Sequence, residues 1–334
     1  MATYRAVMLT GKGDPDVLRE VTLPVPEPGP GEVRLAVRAT GAGGTDIIMR
    51  RGFYPYAPKI PFVPGYEVVG DVEALGPGVT DLKIGQRVAG LMIHGGYAEK
   101  LVRSATEFVP VPDGVDDATA VALILNYATA YQAIHRIAKV KAGDTVLITG
   151  ANGGVGTAML ELLRPVGARA FGAAAARHHD LVRSLGATPV ESRAEPVDTA
   201  MRRILPVGVD VTIDNLGGRF AGQSIRATRR GGTVLGIGFS ATGGKVSGFL
   251  GTLATLYLVA PLNGRRARFF GITQLYKKDP KPFREDLAKL FELAKQGAIS
   301  PRIAIRLPLL AARRAAEMME KGGFEGKIVH LASL

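Results

Sequence analysis

The run Asp144-Thr-Val-Leu-Ile-Thr-Gly-Ala-Asn-Gly-Gly-Val-Gly156 constrains this chain more than any other stretch. A short apolar, β-branched segment leads into glycines spaced Gly150-x-x-Gly153-x-x-Gly156, and helical sequence follows. A buried strand that turns straight into a helix needs glycine where the backbone reverses and where helix and strand meet. The same turn leaves the N–H groups of the helix N-terminus aimed outward, where a pyrophosphate binds. The pattern predicts a dinucleotide site, with Asn152, Gly153, Gly154 and Val155 as its cradle.

The surroundings agree. Thr145–Thr149, Arg169–Ala173, Val209–Ile213 and Thr233–Ile237 are mostly apolar and are separated by helical sequence. Near-continuous apolar strands alternating with helices predict a doubly wound α/β domain, a parallel sheet covered on both faces. Ligands bind at the carboxyl ends of such strands, which makes Asn215 and Gly238, Phe239 and Ser240 candidate cofactor contacts. A site for the non-phosphorylated dinucleotide places an acid at the end of the second strand, on the ribose 2′-hydroxyl. No acid stands between Glu161 and Asp180 here; the strand runs out through Ala174 to Arg177 and His178. Room for a 2′-phosphate beside a permanent positive charge predicts NADPH. Pro165 is expected to end the cofactor-side helix early.

The first 120 residues have a different texture. Alternating runs such as Glu32-Val-Arg-Leu-Ala-Val-Arg38 and Tyr66-Glu-Val-Val-Gly-Asp-Val-Glu73 lie between clusters of Gly and Pro. Period-two alternation bounded by turn residues predicts a barrel-like β domain. A length of 334 residues suits about two domains. A helix is expected from Ala118 to Val140, another from Pro282 to Gln296, a strand at Phe269–Thr273 and a closing strand at 326–331.

The chain has no cysteine, which excludes disulfides, thiolate nucleophiles and Cys-ligated zinc. Its formal charge of +12 is carried by isolated residues and short pairs, with no long basic run. This predicts a solvated arginine-rich surface and no nucleic-acid partner. The N-terminus lacks a signal-peptide pattern, so a cytoplasmic location is expected. Val246–Leu262 carries no charge but is short for a membrane span, and is expected as a buried or subunit-interface helix.

Further motifs stand in a telling order: Gly41 to Asp46, then Arg51-Gly-Phe-Tyr-Pro55, Pro64-Gly-Tyr-Glu67, Val72-Glu-Ala-Leu-Gly-Pro-Gly-Val79 with Gly85-Gln-Arg-Val88, and Gly95-Gly-Tyr-Ala-Glu99. After the glycine turn come Asp214-Asn-Leu-Gly-Gly218, Gly231-Gly-Thr-Val-Leu-Gly-Ile-Gly-Phe239 and Gly326-Lys-Ile-Val329. In order and spacing the whole chain resembles the medium-chain dehydrogenase/reductase superfamily, in its zinc-independent quinone oxidoreductase and enone reductase branch. The resemblance implies a GroES-like β-barrel domain over 1–125, a Rossmann NADP(H)-binding domain over 126–265 and a return to the first domain over 266–334. It also implies an active-site cleft between the domains, a homodimer, and Thr129 near the nicotinamide.

Metal-dependent members hold zinc with an early Cys and a His in Gly-His-Glu; the matching positions here are Gly43 and Tyr66. No metal site is therefore expected, and the chemistry implied is hydride transfer to an activated C=C bond in a hydrophobic small molecule: an enone, enal or quinone. A neutral phenol can hydrogen-bond a developing enolate. Tyr66, standing at the ligand position, is the first candidate; Tyr54 and Tyr56 follow, in the segment resembling the pocket wall. His94, before Gly95-Gly96, is a further candidate to protonate or orient substrate near neutral pH. Two alternatives stay open: an enoyl-thioester reductase whose basic surface meets acidic carriers, and an idle NADPH-binding protein docked by Val246–Leu262.

Overall fold

The computed structural model describes residues 2–238, 241 and 246–334. The expected contacts Phe239 and Ser240 lie outside the described residues. The chain divides into two units, Met1–Ala128 with Tyr276–Leu334, and Thr129–Leu275.

The first unit begins with the strands β1 (Thr3–Leu9), β2 (Leu18–Pro24), β3 (Glu32–Ala42), β4 (Glu67–Leu75), β5 (Arg87–Leu91), β6 (Lys100–Ser104) and β7 (Phe108–Pro110). Val33, Leu35 and Val37 are buried while Arg34, Ala36 and Arg38 turn outward, the alternation read from the sequence. With Val68, Val72, Val88, Met92, Leu101 and Phe108 they form one core cluster. At about 1.5–3 kcal/mol per fully buried large side chain, such clusters dominate the stability of a sheet unit. The long β3 is the spine. Its first half pairs with β6 and its last residues, Ala39–Ala42, with the closing strand.

The second unit holds β8 (Thr145–Thr149), β9 (Arg169–Ala174), β10 (Thr188–Glu191), β11 (Val209–Asp214), β12 (Thr228–Gly236) and β13 (Arg266–Phe269). The chain then returns to the first unit with β14 (Ile303–Pro308) and β15 (Lys327–Leu331). The first unit's large sheet runs β14-β15-β3-β4-β5-β7 with β6 on β3, beside the ribbon β1-β2. The second unit's sheet runs β10-β9-β8-β11-β12-β13, parallel throughout. Counted within the unit this is the order 3-2-1-4-5-6 of the doubly wound dinucleotide-binding fold.

Four expectations need correction. The strand placed at Phe269–Thr273 is β13, and Ile272–Lys278 is a helix. β13 is the sheet edge, and its exposed Arg266 and Arg268 hid it from a search for apolar runs. It carries the second unit on to Leu275 rather than 265. Pro165 does not shorten its helix, Gly154–Val166, but sits in the last turn, and left-handed Gly167 (φ 75°) closes it through an N–H bond to the Arg164 carbonyl. Val246–Leu262 is helical, and of the two readings expected for it the buried helix is overturned, since only Thr252, Leu256 and Ala260 turn inward.

Asp116 caps the long helical stretch from Asp117 to Ala138, accepting from the N–H groups of Ala118 and Thr119 at 3.0 and 3.1 Å. Wider π-type turns interrupt it at Leu123–Tyr127 and Gln132–Ala138. Such turns cluster at functional sites.

Candidate active site

In the second unit, the glycine turn joins β8 to the helix Gly154–Val166. Gly150 takes φ 63°, the left-handed turn that glycine allows, and a Cβ at Gly156 would overlap the Gly150 carbonyl oxygen. Gly153 differs. Its backbone is extended (φ −76°, ψ 168°), and an added Cβ would meet only the Gly150 oxygen, at 3.4 Å. Nothing inside the chain demands a glycine there. A bare backbone at the N-cap of a 13-residue helix, with no side chain capping it, is a cradle for a ligand's phosphates. Asn152, Gly154 and Val155 complete the turn.

The turn lies where the strand order reverses, between β8 and β11. A polar network ties these two strand ends together. Thr149 Oγ1 donates to the buried Asp214 carboxylate at 2.6 Å and accepts the Asn215 N–H at 3.0 Å, while Asn215 Nδ2 donates to the Thr149 carbonyl at 2.8 Å. Burial pushes the Asp214 carboxyl upward. The Asn215 Oδ1 is buried and has no hydrogen-bond partner among the described residues. Gly238, on the neighbouring strand end, is glycine because a Cβ would overlap the Asn215 backbone.

At the end of β9, Ala174 accepts from His179 Nε2 at 3.2 Å. His178 is buried, and its Nε2 accepts from Arg177 Nε at 3.1 Å, which fixes an exposed guanidinium beside the strand end. Among the described residues Arg177 has no carboxylate partner. The nearest strand-end acid, Glu191, is engaged by the backbone N–H groups of Ser192, Arg193 and Ala194. The structure thus brings together Asn152, Gly153, Gly154, Val155, Ala174, Arg177, His178, Asn215 and Gly238 along one edge of one sheet. Thr129 is buried in the helix that opens this unit.

The first unit holds the tyrosines. Tyr66, buried just before β4, shares a 2.5 Å hydrogen bond with the hydroxyl of Tyr54, and their rings meet edge to face. Burial, then the neighbouring Tyr54 and the acids Asp46 and Glu67, hold the Tyr66 hydroxyl well above the usual phenol range, so it stays neutral. Tyr56 packs edge-on against Tyr54, and the Lys277 ammonium lies 5.0 Å from its ring centre. His94 packs on Phe62, with its Nδ1 accepting from Arg103 at 3.2 Å. Burial, Arg103 and Lys277 lower it to about 4. It is neutral near pH 7, so it holds no proton to give there and can only orient.

Sequence reasoning missed the charged cluster beside the tyrosines. Glu67 and Lys327 form a fully buried ion pair. Asp46 Oδ2 accepts the Gly43 N–H at 2.8 Å, and its carboxyl is raised to about 6 chiefly by burial. Tyr97, buried, lies close enough to Asp46 that the two shift each other's titration. The signal was a charged residue inside an apolar strand run, Glu67 before Val-Val and Lys327 before Ile-Val. Gly43 and Tyr66 stand where the resemblance puts the Cys and His zinc ligands. Among the described residues no group of three or more His, Cys, Asp or Glu could hold a metal ion. Nor is any described helix long and apolar enough to cross a membrane.

A unit with a Rossmann sheet and a glycine turn, and a second, mostly antiparallel sheet unit bearing buried tyrosines, define the class as a two-part nucleotide-dependent oxidoreductase fold. Residues 29–113 match the alcohol dehydrogenase GroES-like domain, and residues 185–329 match the zinc-binding dehydrogenase family. A quinone oxidoreductase-like protein 2 homolog of Nematostella vectensis is 30% identical over 98% of this chain and 88% of its own. The synaptic vesicle membrane protein VAT-1 homolog of Rattus norvegicus is 35% identical over 71% of this chain; the match spans 59% of that protein's length. Among solved structures, a Pseudomonas syringae quinone oxidoreductase covers 98% of this chain and 99% of its own at 26% identity and TM-score 0.89. A mycobacterial protein solved in complex with NADPH covers 98% and 99%, at 27% identity and TM-score 0.86. The chain belongs to the medium-chain dehydrogenase/reductase superfamily, among its quinone oxidoreductase-like members.

Proposed function

We propose that this chain is an NADPH-dependent oxidoreductase that reduces an activated C=C bond, in an enone, enal or quinone, without zinc. The observation that carries the reading is the pairing of a bare Gly153 at the helix N-terminus with an uncompensated Arg177 at the end of β9. The first suits a pyrophosphate and the second a 2′-phosphate, so the residues present fit NADPH. The similar mycobacterial protein solved with NADPH supports the same assignment. When bound, NADPH supplies the hydride.

The chain's own residues do the rest. Gly153, Gly154 and Val155 bind the pyrophosphate through backbone N–H groups, with Asn152 in the turn. Arg177, braced by His178 behind Ala174, meets the 2′-phosphate. Asn215 and Gly238 shape the nicotinamide end, and Thr129 stands with them. Tyr66 and Tyr54 share one short O–H···O bond, and the Tyr66 hydroxyl, kept neutral by burial, is a polar group toward an oxygen that gains charge. Tyr56 stiffens that pair by ring packing. Zinc chemistry has no place in the reading because glycine and tyrosine occupy the ligand positions. The test is nicotinamide oxidation, followed by absorbance, against enones, enals, quinones and enoyl thioesters, with NADH in parallel. Turnover of one class with NADPH preferred supports the proposal. Tight NADPH binding with no turnover on any class overturns it.

One second reading has a specific observation behind it. The chain is 31% identical, over 90% of its length, to a segment of a Mycobacterium bovis phthioceranic/hydroxyphthioceranic acid synthase. That likeness, to a protein named as an acid synthase, is why the panel includes enoyl thioesters, and the same panel decides this reading. We propose a homodimer as well, supported by the exposed apolar stripe Val246, Leu250, Tyr257, Leu258 and Leu262, and tested by sedimentation equilibrium.

A further inference from the structure

Among the described residues nothing requires Gly43 or Gly44 to be glycine. Gly43 is extended, at φ −148° and ψ 170°, a geometry any residue adopts, and Gly44 starts a helix without positive φ. A Cβ at Gly43 would sit at ordinary contact distance, 3.7 Å from Leu125 Cδ2 and 3.9 Å from Lys327 Nζ, and one at Gly44 would meet nothing within 4 Å. Gly41, two residues earlier, shows the contrast: there a Cβ would collide with Glu67 and Lys327, so packing explains the glycine. The gap at Gly43 and Gly44 is space that the fold leaves open.

Its walls are unequal. One is a leucine methyl and another is the ammonium of Lys327, whose side chain is only 2% exposed. An ammonium has three N–H donors, and Glu67 is the sole ion-pair partner of Lys327 among the described residues, so the pair leaves donors of the ammonium unused. The Gly43 N–H is already taken by Asp46 Oδ2. The free donor facing the gap therefore belongs to Lys327, and leaving a buried donor unused is costly.

We infer that the gap at Gly43 and Gly44 seats the carbonyl oxygen of the acceptor, with the Lys327 ammonium as its hydrogen-bond donor. This rests on the reading of the chain as a reductase of conjugated carbonyl compounds, and it names the acceptor's recognised atom. A ligand oxygen conjugated to the reducible bond gains negative charge as the bond is reduced, and an ammonium held in place by burial stabilises that charge without reorganising. Leu125 covers the apolar side of the same group.

The test is the Gly43→Ala variant, whose methyl fits without displacing a neighbour. Binding of cyclohex-2-enone is read by saturation-transfer NMR on the full chain, NADPH affinity by nicotinamide fluorescence, and the melting temperature alongside. The expected result is enone binding weakened by roughly tenfold or more, the scale of one methyl-sized change in a pocket, with NADPH affinity and melting temperature unchanged. Equal enone binding by wild type and variant overturns the inference, whether or not the protein turns the enone over. Wild type that binds the enone in this gap but reduces no acceptor sinks the reductase reading alone. Should the alanine variant fail to fold, Gly44→Ala reads out the same gap where no atom is near.

Discussion

Glu67 and Lys327 form an ion pair from which water is excluded, packed over Gly41 at the seam between β3 and β15. Each charge has lost its hydration, and burial pushes the Glu67 carboxyl upward while Lys327 pulls it back. The pair is held by mutual need: either charge alone would be buried without compensation.

Removing one partner should therefore cost more than removing both. Lys327→Met is expected to lower the unfolding free energy by roughly 3–5 kcal/mol, the range for an orphaned buried charge. The double variant Glu67→Leu with Lys327→Met should recover most of that. Urea unfolding of the two variants and wild type measures the difference; equal losses in single and double variants would show that packing, not charge, is what the pair supplies.

Arg177 should set the choice of nucleotide. Arg177→Gln removes the charge proposed to meet the 2′-phosphate while leaving the turn at Gly153 untouched. A charge-assisted hydrogen bond is worth about 1.5–3 kcal/mol, so NADPH affinity should fall by roughly tenfold to a hundredfold while NADH affinity stays the same. Parallel fluorescence titrations with the two nucleotides check this, and an equal loss for both would place Arg177 in folding rather than recognition.

Much of the second unit was legible because its signals are local. Four apolar strands, a glycine turn and a missing acid lie in consecutive stretches, and each demands one backbone geometry. The first unit's site was only half legible. Tyr54 and Tyr66 were candidates from their motifs, but that they meet was not legible, because their shared hydrogen bond joins a loop to a strand start. Lys327 meets Glu67 across 260 positions of sequence, and no local period encodes such a meeting. Of the two roles expected for His94, protonating or orienting, its surroundings speak against the first at neutral pH: burial and Arg103, from β6, lower it, and neither is visible from a histidine before two glycines. β13 escaped because charges on an edge strand imitate a loop.

The histidines carry the last prediction. His94 and His330 are both lowered to about 4, chiefly by burial, with Arg103 beside the first and Lys327 near the second. The unfolded chain binds a proton at each near the ordinary histidine value of about 6.5, so between about 4 and 6.5 it holds more protons than the folded chain. Their contribution to stability is complete above that window and is lost as pH falls through it. In NMR titrations of the chain's five histidines, two sets of ring resonances should stay at their neutral positions down to about pH 5. His94→Gln should flatten the acid side of the melting-temperature profile while leaving the value at pH 7.5 nearly unchanged. A His94 resonance that titrates near pH 6.5 would mean the ring is solvated after all, and would return it to the list of neutral-pH proton donors.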